Sequence, residues 1–404
     1  MGGMTTATTR APRLSAVLRE GERVMPLELF FDLVFVLAIT QCTALMFNQP
    51  TWEGLAQGLL VLGVLWWSWT GYAWLTSVVD PEEGAVRIVI FAAMAAFLIV
   101  AICVPEAFGS LALEFALAYG AVRAAHIALF VLASRDDAAL RQSVTALAVS
   151  TAIGVGLLAG ASLLDGLAQA SLWALALLLD MGGPFLFGAE GWKLVPGHFA
   201  ERHGLIIIIA LGESIVAIGV GASGHLTAGI AVAAVLGITL AAAMWWVYFD
   251  VVALVSARRL ARAPEGRERN ELARDSYSYI HFPMVAGIVL VALGLKKTLG
   301  HVSDPLDTVL AFALLGGVAF YLLGLVAFRY RHIHSVNRRR LVLALVLFAL
   351  LPAAVELSAL ATLALVTALM CALITYETVS YGEGRDRVRH QDFTPERPTT
   401  QEVR

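Results

Sequence analysis

Long apolar runs separated by short polar breaks set the elements of this chain. Each run matches one bilayer crossing, since a transmembrane helix needs about 20 apolar residues. Twelve such windows fall near 27–47, 55–79, 85–104, 111–133, 143–163, 167–188, 203–222, 227–256, 277–295, 306–327, 341–357 and 359–377. The last two form one apolar stretch, interrupted by Pro352 and divided near Glu356 and Ser358, because proline breaks a helix interior. The pattern predicts an all-α fold, a polytopic transmembrane helix bundle of about 12 spans.

Composition agrees. Of 404 residues, 59% are hydrophobic and 15% charged, whereas a globular domain is about half apolar and about a quarter charged. Mean hydropathy is +0.78. These values exclude a secreted disulfide scaffold, a nucleic-acid-binding domain and a disordered protein. Cys42, Cys103 and Cys371 sit in apolar stretches without a CxxC pair, as packing residues do. The polar N-terminal arm leads directly into a full-length span with no small-residue cleavage pattern, so it does not read as a removable leader.

Charge placement fixes a direction. With the N-terminus inside, 25 of the 28 basic residues fall on one side, including Lys193 and Arg202 before the seventh window. Only Lys296 and Lys297 fall opposite, and Arg123 lies within a span. The bias toward cytoplasmic Lys and Arg then predicts that both termini are cytoplasmic. The expected divisions are an N-terminal arm (1–24), a first six-helix half (25–188), a second (189–378) and a disordered cytoplasmic tail (379–404).

The halves share a pattern. ELFFDLVFVLAITQ from Glu28 resembles ERHGLIIIIALGES from Glu201, and the Trp66–Trp67 pair has a counterpart in Trp245–Trp246. In this register Thr40 and Gln41 lie opposite Glu213 and Ser214. Two parallel six-helix repeats are expected, with a shared site or path between them.

Ionisable residues inside spans are the candidates for function, because each costs a few kcal/mol to insert and must face a partner or a wet cavity. Glu28 and Asp32 share a face of the first helix at i and i+4. Glu28 also fits a capping role behind Pro26. The fourth helix carries Arg123 and His126 on one face. Asp180 precedes Gly182-Gly183-Pro184, which reads as a broken helix end with freed carbonyls. Glu213 and Ser214 sit near the centre of the seventh helix. Arg123 is expected to pair with Asp180 or Glu213, either to fix packing or to line a ligand path.

Other motifs carry less. G-x-G-x-x-G at 219–224 closes an apolar helix and follows no strand. His332 and His334 lack a nearby Cys or acid. Gly156 and Gly160 form a G-x-x-x-G that suits close helix packing. There is no Walker A, HExxH or G-x-S-x-G pattern, and no cofactor, metal or catalytic residue is expected.

MPLELFFDLVFVLAIT at 25–40, AYGAVRAAH at 118–126, the Asp180–Pro184 segment and ERHGLIIIIALGESIVAIG at 201–219 resemble the signatures of the bacterial low-temperature-requirement A (LtrA) family. The resemblance spans about residues 22–380 and implies a multi-pass protein of the bacterial inner membrane. Phe30-Phe31-Asp32 also looks like the F-S-D motif of a potassium channel family with two six-helix repeats. Phe31 stands where that motif has Ser, and His203-Gly204-Leu205 supplies no second Asp.

The leading expectation is a channel or secondary transporter for an ion or small solute. Its path would be lined by Glu28, Asp32, Thr40, Gln41, Arg123, His126, Asp180, Glu213 and Ser214. The alternatives are a membrane-embedded enzyme acting on a lipid or isoprenoid, or a non-transporting structural or stress-response protein. Expected partners are membrane lipids, the transported species and a second copy of the chain, with no nucleic acid.

Overall fold

The computed structural model describes residues 23–82, 84–186, 191–222 and 226–390. The rest of the N-terminal arm and of the tail lies outside the described residues. The fold is helical, with no strand among the described residues. In chain order the helices are α1 (Pro26–Asn48), α2 (Trp52–Thr76), α3 (Gly84–Cys103), α4 (Ala112–Ala133), α5 (Ala138–Ala161) and α6 (Gly166–Leu186). After them come α7 (Pro196–Gly221), α8 (Ala228–Phe249), α9 (Val252–Arg262), α10 (Arg267–Ala273), α11 (His281–Gly300), α12 (Thr308–Ile333), α13 (Arg338–Ala349), α14 (Leu351–Ala354) and α15 (Ala359–His390).

Helix starts follow the local chemistry. Pro26 occupies the first turn of α1, and the Glu28 carboxylate reaches back to accept from Met25 N–H at 2.8 Å. Thr51, Asp137, Thr227 and Asp307 cap α2, α5, α8 and α12 through side-chain oxygens, satisfying N–H groups that a helix start leaves open. The Leu140 N–H, with Lys193 at 3.0 Å, holds the Asp137 carboxyl below the usual range.

Eleven helical segments among the described residues are long and apolar enough to cross a membrane. The window at 341–357 differs: it is α13 and α14, parted at Leu350, with Pro352 in the first turn of α14. At 1.5 Å per residue the pair rises about 25 Å, short of a hydrocarbon core of about 30 Å. Across the bundle, α15 continues to His390 through a non-helical Tyr381. The sequence expectation of a disordered tail therefore meets helix as far as residue 390, and the remainder lies outside the described residues.

The centre of the bundle is α2, α11 and α12, whose spans are 78%, 78% and 83% buried. The outermost are α5 and α6, at 33% and 28%. Their exposed leucines, Leu167 and Leu178 among them, face outward, as lipid-contacting side chains do. Apolar attraction between helices is weak in lipid, so close backbone approach matters more. It occurs between α11 and α12. A Cβ on Gly287 would lie 2.5 Å from Gly317 O, and one on Gly317 would lie 2.7 Å from Gly287 O. Gly156 and Gly160 face open space instead, which corrects the expected packing role of that G-x-x-x-G. Gly287→Leu is therefore expected to lower stability by about 3 kcal/mol, the upper end of overpacking costs. Gly156→Leu should stay within about 0.5 kcal/mol. Thermal unfolding in detergent compares them.

A π-helical turn at Arg274–Ile280 leads into α11. Trp66 Nε1 donates to Ser278 O at 2.8 Å and Trp74 Nε1 to Ser278 Oγ at 3.0 Å. Trp66 and Trp74 of α2 thus hold the widened turn, a geometry frequent at functional sites.

Candidate functional site

The α1–α7 interface carries the densest buried charge. Helix α7 starts at Pro196, a residue preorganised for a first turn, so His198 and Arg202 are helical and buried. This corrects the sequence reading of Arg202 as a loop cation. His198 Nε2 lies 2.9 Å from Glu28 Oε1. The Arg202 guanidinium meets Glu28 Oε1 at 3.2 Å and Asp32 Oδ1 at 2.8 Å. Trp69 of α2 donates Nε1–H to the same Asp32 oxygen at 2.8 Å, while its ring lies 5.5 Å from the Arg202 guanidinium. All four side chains are at most 2% exposed. Two acids spaced i and i+4 on one helix thus meet two bases spaced i and i+4 on another.

A second polar level lies eight residues along α1, about 12 Å deeper. There Thr40 Oγ1 donates to Glu213 Oε2 at 2.5 Å. Gln41 beside Thr40 is half-buried. Ser214 is fully buried, and its Oγ has no hydrogen-bond partner among the described residues. Thr40→Val leaves the buried carboxyl without this donor and is expected to cost about 1–3 kcal/mol. Thr40→Ser should cost little. Chemical denaturation of the two variants tests the difference.

The third group joins α4, α5 and α6. Arg123 pairs with Asp180 at 3.0 Å, not with Glu213, and donates to Thr151 Oγ1 at 2.6 Å. Thr151 and Tyr119 both donate to Asp180, at 3.1 and 3.3 Å. Helix α6 continues through Pro184 to Leu186, so the expected break is absent. The expected free carbonyls are nonetheless used: Tyr279 O–H bonds Met181 O, and Arg274 bonds Pro184 O at 3.3 Å.

His126 lies one turn from Arg123. Both its ring nitrogens are buried without a hydrogen-bond partner among the described residues, and its ring packs where a Cβ on Gly71 would stand. It lines a cavity of about 60 Å³ shared with Arg123, Trp67, Trp74 and Arg274. Tyr72 connects the groups: its ring is 4.7 Å from Phe31 and 5.2 Å from His126, and its hydroxyl donates to Val122 O at 2.9 Å.

Sequence reasoning found Glu28, Asp32, Arg123, Asp180 and Glu213 as buried ionisable residues. It missed His198, Arg202, Trp69, Thr151 and Tyr119. One available signal was Pro196 followed by a histidine and an arginine four apart, the basic counterpart of Glu28 and Asp32. No group of three or more His, Cys, Asp or Glu side chains capable of holding a metal occurs among the described residues.

Buried ion pairs between apolar, membrane-length helices define an integral, multi-pass helical membrane protein. A family profile described as "Bacterial low temperature requirement A protein (LtrA)" matches residues 23–375. The chain belongs to this family. An uncharacterized protein of Rhizobium meliloti (strain 1021) is 31% identical over 309 residues, covering 74% of this chain and 75% of the relative. No solved structure matches.

Proposed function

We propose that this protein is a secondary transporter of the bacterial inner membrane for an ion or small solute, with both termini cytoplasmic and two parallel six-helix halves. One observation carries the reading: a fully buried, two-acid and two-base network joins α1 to α7, the first helix of each half. Such a network is costly to bury and is tolerated where its members exchange partners or protons. A proton delivered to Glu28 weakens its hold on His198 and Arg202 and loosens α1 from α7. Thr40 and Glu213 form a second gate deeper on the same interface.

The cavity dimensions favour a transporter in an occluded state over an open channel. The void beside Glu28 and Arg202 is about 10 Å³, near the minimum for a single water. The larger void at Arg123 and His126 holds a few waters at most by the same measure. Partner exchange at the two levels would have to precede passage.

Flux into proteoliposomes tests this, screened over protons, potassium, sodium and small organic ions. Wild-type protein should move at least one of these, and Asp32→Asn, if folded, should lose that flux. Absence of flux for every ion, with no binding of organic substrates, would favour the enzymatic or structural alternatives.

A further inference from the structure

The largest cavity among those described lies away from the α1–α7 network. It occupies about 660 Å³ where α8 gives way to α9 and where α12 ends, α13 begins and α15 passes. Five arginines line it: Arg329, Arg338, Arg339, Arg340 and Arg385. Its two carboxylates are already engaged. Glu377 holds Arg340 through two hydrogen bonds of 3.0 and 2.8 Å, and Asp250 pairs with Arg385 and Arg389. Arg340 is fixed further by donating to Val247 O at 3.0 Å.

Three cations of the lining are left without a carboxylate at ion-pair distance among the described residues. Arg339 stacks on Tyr376 and Tyr381, at 4.7 and 5.0 Å. Arg338 is exposed. Arg329 is half-buried, and its Nε has no hydrogen-bond partner. His332 is 2% exposed and also lines the cavity. Its Nδ1 donates to Phe328 O at 2.9 Å, which leaves Nε2 of the neutral ring as an acceptor and the anion to the arginines. Arginine forks around one concave space match an oxyanion with several acceptor oxygens.

We propose that this cavity binds the phosphate-bearing headgroup of an anionic lipid. Its position is that of a headgroup, at the ends of membrane-length helices. Its volume exceeds the need of a free phosphate ion. Its rim is apolar and aromatic, with Ile333, Val336 and Tyr381 at least 40% exposed, where acyl chains and interfacial aromatics meet. Basic pockets between helices are a recurring way to hold anionic headgroups.

The test uses the purified full chain in detergent, titrated with phosphatidylglycerol or with phosphatidylcholine of the same acyl chains, and separately with inorganic phosphate. The thermal unfolding midpoint is read. Phosphatidylglycerol should raise the midpoint and phosphatidylcholine should not. Arg329→Gln combined with Arg338→Gln should weaken the apparent affinity by about tenfold or more. Arg338→Glu alone, at an exposed position that does not endanger folding, should act in the same direction, and Arg87→Gln outside the cavity should leave the response intact. Equal responses to the two lipids, or an undiminished response in the Arg338→Glu protein, would overturn the proposal. So would a full shift produced by inorganic phosphate alone, which would assign the cavity to a free ion.

Discussion

Arg202→Met is expected to destabilise the protein by about 3–5 kcal/mol, the usual cost of breaking a buried ion pair from one side. Arg202 contacts both Glu28 and Asp32. Its removal leaves Asp32 with only the Trp69 N–H, while Glu28 keeps His198 and the Met25 N–H. Replacing the pair together, as Asp32→Leu with Arg202→Met, should recover most of the stability, because an apolar pair of similar volume carries no desolvation penalty. Unfolding in detergent reads the first effect. Flux in proteoliposomes separates structure from transport: the double variant should fold and carry nothing. A double variant with wild-type flux would reduce the network to a packing device.

Arg123→Met should have a comparable effect, about 3–5 kcal/mol, through a different set of helices. Asp180 would keep only its hydroxyl donors, Thr151 and Tyr119. Arg123→Lys should restore the site in part. One guanidinium nitrogen reaches both Thr151 and Asp180, and an ammonium with three N–H groups can supply the same two bonds from a shorter stem. A double-mutant cycle with Asp180→Asn should give a coupling energy of about 1–3 kcal/mol. A coupling near zero would mean that the two residues are stabilised independently, against the 3.0 Å contact.

The elements legible from sequence were those written as long apolar runs. Residues that announce themselves as charges inside such runs, Asp32 and Arg123 among them, were legible too. Arg202 was not, because the hydropathy window opens after it and the positive-inside pattern absorbed it as one more loop cation. Burial there depends on which partner stands across the interface, and a single helix does not encode that. The pairing of Arg123 with Asp180 rather than Glu213 is of the same kind: depth along a span can be counted, whereas azimuth around the bundle depends on packing. The parting of α13 from α14 was partly written in Pro352. The π-helical turn at 274–280 has no periodic signature and is visible only through the tryptophans that bind it.

The spacing at the α1–α7 contact is that of two facing racks. Glu28 faces His198 and Asp32 faces Arg202, each pair 170 residues apart in the chain. Both teeth on each helix are four residues apart, about 6 Å. A slide of α7 by one turn carries Arg202 from Asp32 fully onto Glu28, which it already touches at 3.2 Å. On such a slide the guanidinium would keep an acid in reach throughout. Ratchets of one helical turn past a neighbour are an established form of switching. In this interface the step length is set by the four-residue interval from Glu28 to Asp32.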